Sequence, residues 1–246
     1  MKVKRLGNLP YLVKSTYASA MRATGRLLTR AKVLSASPPV RSHRLQHWAY
    51  SLTRVHDSMA IVELGVPWWT YDAIDHIERV LDARPDDLRV FEYGSGASTF
   101  WLARRAREIH TVEHHAGFAK TIGPELAKLE DVTFHLVEPV RSEHPVIGSL
   151  KSGNAGLDFK AYVTTIDAVG GLFDVVVIDG RARAACLRAA IPHLAEDGII
   201  VFDNTRRRRY RKAIEKSGLE ETRFTGLTPT LPYPEQTSVL TRAAGH

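Results

Sequence analysis

The first 56 residues contain no aspartate or glutamate, although 11 of the chain's 34 Lys and Arg lie there. All 27 acidic residues follow. The formal net charge of +7 over 246 residues therefore belongs to an N-terminal arm, and the rest of the chain is net acidic. Such asymmetry marks an interaction tail. Cysteine is nearly missing, with Cys186 the single one. That excludes an intrachain disulfide framework and fits a reducing compartment such as the cytoplasm. No nucleophile signature surrounds Cys186, so it reads as a small core residue. No apolar run approaches the ~18 residues that a membrane-spanning helix needs, and the arm lacks the apolar stretch of a secretory signal. The histidines at 114, 115, 135 and 144 have no zinc-ligand spacing, and no internal repeat appears. What remains, 44% apolar and 25% charged residues, suffices for a core. The length suits one mid-sized domain with an appendage: an arm over 1–56 and a domain over 57–246.

On a helical wheel of about 100° per residue, Val13, Tyr17, Ala20, Met21, Leu27 and Leu28 share one sector, and Lys14, Arg22, Arg26, Arg30 and Lys32 the other. Residues 10–34 thus read as a basic amphipathic helix, ended by "SASPPVRS" because proline cannot continue it. Four readings fit this helix: peripheral contact with an anionic membrane, packing on its own domain or a partner, a cleaved organelle-targeting segment, and nucleic acid. Nucleic acid ranks last, because aromatics are not interleaved as stacking would need.

Beyond the arm, strand-like and helix-like segments alternate. "LRVFEYG" (88–94), "EIHTVEHH" (108–115), "VTFHLVEP" (132–139), "FDVVVIDG" (173–180) and "GIIVFDN" (198–204) read as buried strands. Helices are expected over 67–83, 98–106 with Ser98 as N-cap, 117–130 with a break near Gly123-Pro124, 182–196 weakened at Pro192, and 208–218 closed by Gly218. "ETRFTGL" and "TSVLTRA" supply two final strands. The pattern predicts an α/β doubly wound, mostly parallel sheet with right-handed crossovers, preceded by the helical arm.

In such sheets ligands bind beyond the carboxyl ends of the strands. Acids gather there: Glu92 at the end of the first strand, Glu113 at the second, Asp179 at the fourth, Asp203 with Asn204 at the fifth. In "FEYGSGAST" (91–99), Gly94 and Gly96 allow a sharp turn and a close ligand approach. A dinucleotide fingerprint needs a third glycine where Thr99 stands, and a carboxylate at Glu92 repels pyrophosphate but suits a cationic group. Glu113 lies 19 residues after Gly94, near the ~20 expected of an acid that binds ribose hydroxyls. A ligand with a ribose, a cationic end and no phosphate is S-adenosylmethionine.

With these motifs, residues 65–242 resemble the class I S-adenosylmethionine-dependent methyltransferases. The resemblance implies a seven-stranded Rossmann-like sheet whose last strand is antiparallel. It also implies cofactor contacts from Glu92, Gly94, Gly96, Ser98 and Glu113, with Glu113 on the ribose. "VVVIDG" and "VFDN" resemble, more narrowly, the catechol-type O-methyltransferases, which implies that Asp179, Asp203 and Asn204 hold Mg²⁺. That family's lysine base is absent; Gly180, Arg181, Ala182 and Arg183 follow Asp179. The alternative is that Asp179 acts without metal, as base or hydrogen-bond acceptor. Arg181, Arg183 and the "TRRRRYR" run (205–211) point to an anionic acceptor. The catalytic candidates are then Asp179 and Arg181. Trp68, Trp69 and Tyr71 suit an aromatic lid or core packing. The expected activity is methyl transfer to an oxygen of a small-molecule or saccharide acceptor. The alternatives are an RNA methyltransferase using the arm, a nicotinamide-dependent oxidoreductase, and an inactive, membrane-tethered binding module.

Overall fold

Strand residues that face opposite sides of one sheet alternate along the chain. In the computed structural model, which describes residues 23–25, 27, 30, 31, 35, 37–54, 62–84 and 87–243, both faces are covered. The main sheet contains β1 (Arg89–Tyr93), β2 (Glu108–Glu113), β3 (Val132–Leu136), β6 (Phe173–Ile178), β7 (Leu194–Asp203), β8 (Glu220–Gly226) and β9 (Glu235–Thr241). Their spatial order is β3-β2-β1-β6-β7-β9-β8. The first five run parallel, and β9 lies antiparallel to both β7 and β8. β4 (Val140–Arg141) and β5 (Leu157–Asp158) form a separate antiparallel pair.

Val90, Val175, Val177, Val201 and Val239 pack on one face, beneath α2 (Tyr71–Asp82) and α3 (Ala97–Leu102). Phe91, Tyr93, Val176, Ile178, Ile200 and Phe202 pack on the other. There they meet α5 (Lys160–Val163), α6 (Thr165–Val169), α7 (Arg183–Ala190) and α8 (Arg208–Glu215). Burial on both faces is why these strands read as unbroken apolar runs. Cys186 is fully buried in the second cluster, as a small core residue. Trp69 and Tyr71 are core residues too, with Trp69 set edge-on to Trp101 at 5.8 Å; Trp68 stays partly exposed.

Several element boundaries differ from expectation. The helix expected over 182–196 ends at Ala190, and Pro192 sits in a 3₁₀ turn, Ile191–His193, from which β7 starts at Leu194. Pro192 lacks the N–H that another helical turn would use. The reverse happens in α4 (Ala116–Leu126), which runs through Gly123 and Pro124 without breaking. The cap of α3 is Gly96, not Ser98, whose hydroxyl is engaged elsewhere. The helix expected from residue 67 starts at Tyr71. The β4–β5 pair and the helices α5 and α6 had no counterpart in the sequence reading.

The division expected at residue 56 lies outside the described residues. Helix α1 (Arg44–Ser51) docks on the domain. Arg41 pairs with Glu78, and Arg44 with Asp72 and Asp75 of α2. His47 Nδ1 lies 2.7 Å from Tyr71 Oη, Trp48 Nε1 donates to Leu231 O at 2.9 Å, and Thr230 N donates to Ser51 Oγ at 2.8 Å. The acid-free composition around 41–44 is thus answered by acids of α2. The amphipathic helix expected over 10–34 lies for the most part outside the described residues. Among those described, no helix is long and apolar enough to cross a membrane.

Candidate active site at the carboxyl edge of the sheet

At the end of β1 the carboxylate of Glu92 is fully buried. It accepts hydrogen bonds from Ser98 Oγ, from Thr99 Oγ1 at 2.5 Å and from Thr111 Oγ1 at 2.8 Å. Ser95 Oγ joins Thr111 Oγ1 at 2.8 Å, and Gly96 N donates to Thr99 Oγ1 at 3.0 Å. Burial pushes the Glu92 pKa up to about 7, against the pull of the three hydroxyls. Glu92 is not among the residues that line the neighbouring cavity. Through these bonds Glu92 ties β1, β2 and the first turn of α3 together beneath the cavity. Thr99 and Thr111, which the sequence reading missed, are its partners. The signal for Thr99 was available, since it replaces the third glycine.

Above this floor lies a cavity of about 500 Å³. All the other expected site residues line it: Gly94, Gly96, Ser98, Glu113, Asp179, Arg181, Asp203 and Asn204. Gly94 has φ +98, and a Cβ there would stand 2.8 Å from both N and Cα of Gly180. Only glycine fits such a backbone-on-backbone approach in this region of φ. A Cβ on Gly96 would meet nothing within 4 Å, so the fold leaves open space there.

Glu113, almost fully buried, closes β2. Its Oε1 accepts from the backbone N–H groups of His114 and His115 at 2.8 and 2.7 Å. Its Oε2 has no hydrogen bond among the described residues. His115 in turn caps α4, with Nδ1 accepting from Phe118 N at 3.0 Å. The end of β2 thus presents one constrained carboxylate oxygen to the cavity.

Asp179 and Asp203 follow β6 and end β7, two adjacent strands. Between them lies Arg183, buried to 5% exposure. Its Nη2 is 2.6 Å from Asp179 Oδ1 and its Nη1 is 3.8 Å from Asp203 Oδ2. Burial raises the pKa of both carboxyls, and the Arg183 charge opposes that rise. Asp203 Oδ1 also accepts from Thr237 Oγ1 at 2.9 Å, and Asn204 Nδ2 donates to Glu235 Oε2 at 3.3 Å. The expected metal set does not fit this arrangement. A divalent ion about 4 Å from the guanidinium would meet a repulsion of roughly 8 kcal/mol at an effective dielectric near 20. Asp179, Asp203 and Asn204 do meet at one rim, but the cation in their midst belongs to the protein.

The arginines divide by role. Arg181 and Arg207 line the cavity, as does Lys151; both arginines act on the charge of Asp179 without a salt bridge within 4 Å among the described residues. Burial and the neighbouring Arg183 charge lower the Arg181 pKa. Arg211 instead turns away to a bidentate pair with Glu221, at 2.7 Å for both contacts. Arg209 lies 4.9 Å over the Tyr210 ring and borders a second cavity of about 210 Å³, which has Lys151, Arg183, Arg188 and Arg209 but no acid in its lining.

A parallel sheet in the order β3-β2-β1-β6-β7, continued by an antiparallel β9 and β8, with its acids and glycines at the carboxyl edge, defines the Rossmann-like class I methyltransferase architecture. Residues 91–205 match the model of a methyltransferase domain. The matched segment and the fold support an S-adenosylmethionine-dependent methyltransferase, with S-adenosylmethionine as methyl donor. Among curated proteins none matches. Similar solved structures include an amino pentose methyltransferase from Micromonospora echinaspora, with 17% identity, TM-score 0.49, and coverage of 77% of this chain and 97% of that one. An rRNA methylase from Streptococcus thermophilus shows 9% identity, TM-score 0.49, and 70% and 96% coverage. A TehB-like S-adenosylmethionine-dependent methyltransferase from Corynebacterium glutamicum shows 14% identity, TM-score 0.47, and 79% and 99% coverage.

Proposed function

We propose that this methyltransferase methylates an oxygen of a small-molecule or saccharide acceptor that carries negative charge. One observation carries the reading: Asp179 shares a cavity with Arg181 and Arg207, two half-buried cations that act on its charge but form no salt bridge within 4 Å among the described residues. Guanidinium groups held half-buried without a bidentate carboxylate have their fork of donors open to an anion.

The residues divide the work as follows. Glu113 Oε2 accepts from the ribose hydroxyls of the cofactor, and the space beside Gly96, with Gly94 and Ser98, receives its methionine part. S-adenosylmethionine supplies a methyl group on a positively charged sulfur, open to in-line displacement. Arg181 and Arg207 hold the acceptor's carboxylate or phosphate and so fix which oxygen faces the methyl. Asp179 Oδ2, which has no hydrogen bond among the described residues, takes the proton of that hydroxyl. Its raised pKa makes it a better base near neutrality than an exposed aspartate.

A labelled-methyl transfer screen across anionic sugars, phenols and RNA tests the reading. Label on an anionic sugar or small acid is the expected result. Label confined to RNA would overturn it.

A further inference from the structure

The two carboxylates at the ends of β6 and β7 need a counter-charge, and the chain provides one of its own. Every nitrogen of the Arg183 guanidinium is directed to a strand-end oxygen. Nε donates to Gly180 O at 3.1 Å, Nη1 to Asp203 O, and Nη2 to Asp179 O at 2.5 Å and Asp179 Oδ1 at 2.6 Å. Tyr210 covers the group from one side, with its ring 5.8 Å from the guanidinium carbon. The backbone is bent to allow this. Ala182, just before Arg183, has φ +50, a left-handed conformation that costs a non-glycine residue energy and that concentrates at functional sites.

We infer that Arg183 is the resident cation of the acceptor site, and that methyl transfer proceeds without a divalent metal. The guanidinium is a positioning residue. It fixes Asp179 by one oxygen and leaves the other for the acceptor proton. It also offsets the charge of two adjacent strand-end carboxylates. A lysine at this place would supply charge but not the fork of donors that reaches both strand ends. The part concerning Asp179 as base rests on the acceptor reading above; the place of the cation does not.

Mn²⁺ is a sensitive probe of such a site because its spin-resonance signal changes on binding. Titration of the wild-type chain with Mn²⁺ is expected to show no stoichiometric binding at millimolar concentration. S-adenosylhomocysteine is expected to bind equally well with and without EDTA. One Mn²⁺ per chain, lost in Asp203→Asn, would overturn the inference while leaving the methyl-transfer reading standing. Failure of every anionic acceptor would overturn that reading and leave the titration result untouched. Arg183→Met frees both carboxylates and is expected to bind Mn²⁺ at least about tenfold more tightly than wild type, a gain that loss of a merely structural contact would not produce. If Arg183→Met still binds S-adenosylhomocysteine yet gains no Mn²⁺ affinity, the guanidinium does not hold a cation's place and the inference falls. If it no longer binds S-adenosylhomocysteine, the wild-type titration decides alone.

Discussion

Gly94 and Gly180 meet backbone to backbone at the carboxyl edge of the sheet, so closely that a Cβ on Gly94 would lie 2.8 Å from Gly180 N and Cα. One directly follows β1 and the other follows β6, so their contact sets the spacing between the donor-side turn and Asp179. Gly94→Ala adds a methyl group where backbone stands and forces alanine into φ +98. It is expected to cost about 2–4 kcal/mol and to lower the melting temperature by several degrees. Gly180→Ala collides with Tyr162 Oη and behaves alike. Gly96→Ala meets nothing in the protein, so it keeps the melting temperature and loses S-adenosylhomocysteine affinity. Thermal unfolding with and without that ligand separates the two behaviours. Equal melting temperatures for Gly94→Ala and wild type would refute the account of Gly94.

Glu113 holds two backbone amides with one oxygen and keeps the other open. If that second oxygen receives ribose hydroxyls, Glu113→Ala removes hydrogen bonds to a charged acceptor worth about 1.5–3 kcal/mol. S-adenosylhomocysteine affinity is expected to fall roughly 10- to 150-fold, measured by calorimetry. Unchanged affinity would place the ribose elsewhere.

The buried Glu92 gives stability a definite dependence on pH. Its folded pKa of about 7 lies above the ordinary value of 4.5, so the folded state binds the proton more tightly than the unfolded chain. The resulting contribution is complete below about pH 4.5 and is lost as the pH rises through about 7, a change of about 3 kcal/mol. Glu92→Gln cannot titrate. Its denaturant-unfolding free energy should change less than that of wild type between pH 5 and 8. Part of the slope remains, because Asp203 is shifted in the same direction. Parallel curves for the two proteins would show that Glu92 does not titrate there.

Much of this edge was legible in the sequence because it depends on local order. A strand end, a glycine turn and a helix start are neighbours along the chain, and so Gly94, Glu113, Asp179 and Asp203 were assigned to one rim from their positions alone. What could not be read was which way a side chain turns once it arrives. Glu92 resembles a ligand contact in sequence, but Thr99 from its own turn and Thr111 from β2 fold over it. Arg183 reads as one more arginine for an anion. Only packing against Tyr210 and the left-handed Ala182 reveal it between two aspartates. Likewise Pro192 and Pro124 look alike as helix breakers, yet α7 ends before the first while α4 runs through the second.

The contacts of α1 separate two truncations that sequence composition alone would treat together. Removal of residues 1–34 leaves Arg41, Arg44, His47, Trp48 and Ser51 in place on α2 and on the 230–231 loop. That shortened chain should melt near the wild-type temperature and bind S-adenosylhomocysteine normally. Removal of residues 1–56 also strips these contacts and uncovers Tyr71, which is 1% exposed in the intact chain. It should lower the melting temperature by several degrees, because loss of a buried hydrogen-bonded partner costs about 1–3 kcal/mol for each group left unsatisfied. The same pair of proteins tests the basic arm. If the first 34 residues contact an anionic membrane, sedimentation with phosphatidylserine vesicles should drop in the shorter truncation, and wild-type binding should weaken as salt is raised. Vesicle binding that survives deletion of 1–34 would end the membrane proposal, and an unchanged melting temperature after deletion of 1–56 would show that α1 adds nothing to the stability of the domain.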